Sequence, residues 1–142
     1  MQSIPELQII GKIALAALLG LFIGIERHAN GKIAGVRTFS TLALGTALFT
    51  ILGAQLFTGQ DQVIFLAAMI IGTGIIASKI SVIDNDGVPE FSNMVALWTT
   101  AAISIAISYG YYILGSGVAF LLLAIYLIKD LFETRSEKRS KK

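Results

Sequence analysis

The sequence predicts an all-α, polytopic bundle of about five membrane-spanning helices, and three observations carry that reading. The chain of 142 residues is 55% hydrophobic and only 14% charged, against roughly 45–50% apolar and about 25% charged in an ordinary soluble domain. Its apolar residues gather into long runs separated by short polar strips, and most runs reach the length that crosses about 30 Å of hydrocarbon at about 1.5 Å per residue. Its Lys and Arg residues are lopsided. Of the eleven, six lie in the last fourteen residues, three (Arg27, Lys32 and Arg37) flank or fill the first polar strip, and Lys79 precedes the second long one.

The first apolar run, 9–25, has no Lys or Arg in the residues before it and no small-residue cleavage site after Gly24, so it reads as a retained helix rather than a signal peptide. The remaining spans are placed at 40–57, 63–83, 94–114 and 118–132, and residues 133–142 form a basic tail. The strip between the first two spans, ERHANGKIAGVRTF, carries two helix-breaking glycines, Gly31 and Gly35. Gly115 and Gly117 mark the expected break between the last two spans. Basic residues of the loops and tail fall on one side of this arrangement, and that side is cytoplasmic by the positive-inside rule. An odd number of spans then sets the N-terminus outside and the C-terminus inside.

Composition also removes several chemistries. There is no cysteine and one histidine, His28, so disulfides, thiolate sites and a two-histidine zinc helix are excluded within one chain. The formal net charge of +2 is concentrated in the tail, so it suggests anionic lipid headgroups as a partner and not nucleic acid. No nucleophile with its base, phosphate loop or catalytic carboxylate pair is present, and neither an enzyme nor a cofactor is expected.

Within the spans, Ala16, Gly20 and Gly24 recur every four residues on one face, where missing side chains let another helix approach closely, within the chain or across a homodimer. Gly72 and Gly74 permit close packing or a local break in the third span. Thr100, Ser104 and Ser108, with Trp98 nearby, form a hydroxyl-bearing stripe. Such hydroxyls bond back to their own helix or line a polar path, and the pattern leaves both open. Asp84, Asp86 and Glu90 offer hard oxygens to a divalent cation, but the Asp-Gly pair is equally a turn signal and the full calcium-loop spacing is absent. Glu26, Arg27 and Arg37 are the most informative set. Charge beside lipid is expensive unless paired, and an arginine fork matches a carboxylate at two points. The expectation is a charge cluster at the cytoplasmic mouth, joining Glu26 to Arg37.

These motifs resemble a known family. The stretch from Gly20 to Phe49 is similar to the opening motif of the MgtC/SapB family, through Gly20, Gly24, Glu26, Arg27, Ala34, Gly35, Arg37, Thr38 and Gly45. Leu97, Trp98, Thr100, Ala101 and Ala102 resemble its tryptophan helix, and Gly72 and Gly74 echo its third helix. The chain departs from the pattern at Asp61-Gln62 and at Phe91-Ser92-Asn93-Met94, and is similar to the short, membrane-only type. The resemblance implies a bacterial inner-membrane protein associated with growth under magnesium limitation and survival in host cells, the longer members being linked to altered membrane potential. The favoured reading of the chain is a non-enzymatic regulator that docks other membrane proteins, or a second copy, through its small-residue helix faces. A transporter or channel for an ion or small solute, and a lipid-binding structural protein, are the competing readings.

Overall fold

A computed structural model describes residues 5–32, 34–80 and 91–140 of the chain, the side chains of 80 and of 129–140 excepted. Within them lie five helices and no strand: α1 (Glu6–Ala29), α2 (Val36–Leu56), α3 (Gln60–Ile80), α4 (Phe91–Ser108) and α5 (Tyr112–Ser140). The first four are long and apolar enough to cross a membrane, and the apolar part of α5, Tyr112–Ile128, is shorter. At about 1.5 Å per residue that part rises about 26 Å, the lower end of what a span needs.

α4 is the hub, touching each of the other four helices. Half of its apolar span is buried, whereas only 11% of α3's is, so α3 is the peripheral helix. The seam between helices is built from small side chains, with Ala16, Ala43, Ala47, Ala96 and Ala101 all at 0–1% exposure and Phe39, Leu97 and Ile103 filling the gaps. Lipid tails are as apolar as leucine, so helices in a bilayer associate by close packing rather than by escaping water. Large apolar residues accordingly point outward, among them Phe22, Phe120 and Leu121.

Two helix ends are set by glycine. After α1, Gly31 takes φ +69°, its N–H donates to His28 O at 3.1 Å, and the Lys32 N–H donates to Arg27 O at 3.0 Å. After α4, Gly110 takes φ +88°, with Gly110 N–H to Ile107 O at 3.0 Å and Tyr111 N–H to Ala106 O at 3.0 Å. Both are Schellman ends, in which a left-handed residue lets the chain double back onto orphan carbonyls.

These ends correct three sequence expectations. The first polar strip is not a long loop. α1 continues through Glu26 and Arg27 to Ala29, and α2 opens at Val36, because polar residues end a hydropathy run without ending a helix. The fourth helix stops at Ser108, six residues short of the expected end. The break falls at 109–111 and not at Gly115–Gly117, which lie inside α5. Gly115 is a packing residue, where an added Cβ would meet Ile107 Cδ1 at 2.7 Å. The expected loop with Asp84, Asp86 and Glu90 lies outside the described residues.

Candidate functional site

The buried face of α1 is read directly from its register. Ala16, Gly20, Ile23, Gly24 and Arg27 are the buried residues, one stripe at spacings of three and four. Toward its upper part this stripe receives α2. A Cβ on Gly20 would lie 2.7 Å from Phe39 O and 2.8 Å from Ala43 Cβ, and one on Gly24 would lie 2.7 Å from Val36 Cα. The stripe ends in a charge. Arg27 is 3% exposed, carried inward by the same periodicity that buries the glycines.

Its guanidinium is held by neutral groups from two other helices. Nη2 donates to Ser92 Oγ at 2.9 Å and Nε donates to Asn93 Oδ1 at 3.3 Å, both in the first turn of α4. The Tyr126 ring of α5 lies under the guanidinium carbon, 4.4 Å from its centroid, and the Tyr126 hydroxyl donates to Ser92 O at 3.3 Å. The planar fork thus ties α1, α4 and α5 at one point, a geometry that lysine's single ammonium does not reproduce. The cation also sits at the positive end of the α4 dipole.

The expected Glu26–Arg37 pair is not formed. Arg37 is exposed, because α2 buries Phe39, Ala43, Thr46, Ala47 and Thr50 and Arg37, two residues before Phe39, points about 200° away from that stripe. Glu26 turns half outward, one Oε1 accepting from Asn30 Nδ2 at 2.7 Å while its Oε2 is buried without a hydrogen-bond partner. Of the three charged residues, Arg27 is buried, Glu26 half-buried and Arg37 exposed. Ser92, Asn93 and Tyr126 were not anticipated as partners of Arg27. The spacing Ala119, Leu122, Tyr126, all within the expected fifth span, puts Tyr126 on the buried face of α5, but an aromatic at that spacing reads equally as ordinary packing.

The hydroxyl stripe is turned in on itself. Thr100 Oγ1 donates to Ala96 O at 2.8 Å, Ser104 Oγ to Thr100 O at 2.9 Å, and Ser108 Oγ to Ser104 O at 2.8 Å and to Ala47 O at 3.3 Å. All three residues are buried, so they are packing positions that bring α4 close to its neighbours. Trp98 is half exposed, its indole beside Gly74, and Gly72 has open space around it rather than a packed helix. At the opposite end of the bundle, half-buried Lys12 does not reach out to the interface. Its Nζ donates to Ser108 O at 2.9 Å, capping the negative end of α4. Among the described residues no group of three His, Asp or Glu is placed to hold a metal ion.

Comparison with known proteins agrees with the motifs. A family model described as the MgtC family matches residues 13–135. "Putative magnesium transporter YhiD" of Escherichia coli K12 is 31% identical over 81% of this chain and 59% of its own length. Protein SrpB of Synechococcus elongatus is 30% identical over 84% of the chain and 74% of its own length, and Protein MgtC of Brucella abortus is 31% identical over 69% and 41%. The chain thus spans between two fifths and three quarters of the length of these relatives. No solved structure matches it.

Proposed function

The chain belongs to the MgtC family, and from that premise we propose that it is a non-enzymatic inner-membrane regulator supporting growth under magnesium limitation, with the buried Arg27 site as its functional centre. The observation that carries this reading is the contrast between two polar features. The Thr100, Ser104 and Ser108 stripe, which a transported ion would need, spends its hydroxyl donors on its own helix backbone and on Ala47 O. The guanidinium of Arg27 is buried against the neutral groups of Ser92, Asn93 and Tyr126, an arrangement costly enough in a membrane to mark a working site. The Gly20 and Gly24 face is occupied by α2, so contacts to other membrane proteins or to a second copy fall to the outward faces of the bundle.

A transporter is the second reading. The name of the Escherichia coli relative supports it, as does a threonine-bearing groove between α2 and α3. The two readings part in reconstituted vesicles. The purified chain in liposomes loaded with a magnesium-sensitive dye is expected to admit no more Mg²⁺ than protein-free vesicles, while its expression restores low-magnesium growth to a bacterium lacking its own family member. Saturable Mg²⁺ entry that requires the protein would overturn the regulator reading.

A further inference from the structure

α2 and α3 are pinned together at one end and part toward the other. The turn at 57–59 joins them, and the Phe65 ring packs on Gly53 close to that turn. Farther along, the helices diverge around a groove of about 400 Å³, within the roughly 300–1,000 Å³ typical of small-molecule sites. Leu42, Phe49, Met69 and Ile76 line it among glycines and threonines, and its rim is open to the side, with Phe49 55% and Ile76 51% exposed. From Thr38 to Phe49 the groove follows α2 for about 16 Å, close to half of the roughly 30 Å hydrocarbon thickness. It therefore runs the depth of one leaflet, the one at the basic end of the bundle.

Two exposed cations stand at its mouth. Arg37 is one turn before Thr41 on the same face of α2, and Lys79 is three residues beyond Ile76 on the same face of α3. An apolar slot one leaflet deep, opening at the interface between a guanidinium and an ammonium, has the charge and shape complement of an anionic phospholipid. We propose that the α2–α3 groove is a binding site for one such lipid of the basic-side leaflet, its acyl chain against Leu42, Met69 and Ile76 and its phosphate between Arg37 and Lys79. This gives Arg37, which the Arg27 site does not use, a role of its own.

Gly45 and Gly72 allow a clean test, since a Cβ at either meets nothing within 4 Å, so leucine fills the groove without striking the backbone. Native mass spectrometry of purified protein should show one retained phosphatidylglycerol in preference to phosphatidylcholine by about tenfold. In a chain whose tail residues Arg135, Lys138, Arg139, Lys141 and Lys142 are changed to glutamine, that preference should persist. Arg37→Gln with Lys79→Gln should abolish the preference while leaving chain binding, and Gly45→Leu with Gly72→Leu should abolish both. Unchanged lipid retention in the leucine variant, loss of the preference in the tail variant, or a change of oligomeric state in place of lipid loss would each overturn the proposal, the last by assigning the groove to a second copy.

Discussion

At the scale of single residues, burial was decided by helical phase rather than by charge. Arg27 and Glu26 are neighbours with equal claims to a membrane-buried role, yet Arg27 continues the stripe of Gly20 and Gly24 and Glu26 does not. That signal was present in the sequence. Phase alone says that one of the two turns inward and the other outward; which one follows only when the Gly20 and Gly24 stripe is carried past residue 25, where the apolar run ends. Lys12 shows the same limit from the other side, because a lysine three residues inside an apolar run reads as a snorkelling side chain until the carbonyl of Ser108 is seen 2.9 Å away. Lys12→Met keeps the length and apolar stem and removes the donor, leaving an orphan carbonyl at the end of α4. A charge-assisted hydrogen bond contributes about 1.5–3 kcal/mol, and less at a half-buried site. The variant should melt a few degrees lower in detergent, and an unchanged melting temperature would show the bond to be dispensable.

At the scale of helices, existence was legible and ends were not. Apolar runs located all five helices, four of them long enough to span a bilayer and the fifth shorter, since hydropathy averages over many residues. The ends of α1 and α4 depend on single glycines with positive φ, and hydropathy carries the fourth span through Gly110 and breaks at Gly115, which is helical. The physical difference is visible only in backbone geometry. Gly110→Ala forces an L-residue into the left-handed region at about 1–2 kcal/mol, so it should lower thermal stability by that much, whereas Gly117→Ala, in open space within α5, should be neutral or stabilising. Equal effects of the two would refute the assigned turn. Gly24→Leu tests the α1–α2 seam, because its side chain would strike Val36 Cα, which is backbone and cannot rotate away. Overpacking of that kind costs about 1–3 kcal/mol or more, and should appear as lost folded protein in the membrane. Wild-type abundance and melting would show that the two helices do not meet there.

At the scale of the whole molecule, the positive-inside rule applied to the distribution of Lys and Arg predicts the Arg27 site at the cytoplasmic end and Lys12 at the outer one. Single cysteines at Gln60 and Ser136 should therefore react with an impermeant thiol reagent from opposite sides, and labelling of Ser136→Cys from outside intact cells would invert the arrangement. The family was legible from the motif between Gly20 and Phe49. The site was only partly so, since its α4 half, Ser92 and Asn93, falls where the chain departs from the family pattern, and Tyr126 on α5 belongs to no motif that sets it apart from a packing aromatic. In the proposed function the forked guanidinium of Arg27 is needed for activity beyond holding the bundle together. The most direct measurement is low-magnesium growth of a complemented deletion strain carrying Arg27→Lys, with the variant's membrane abundance quantified alongside. Loss of growth at near wild-type abundance is expected, because lysine keeps the charge but cannot engage Ser92, Asn93 and the Tyr126 ring together. Full growth supported by Arg27→Lys would contradict it.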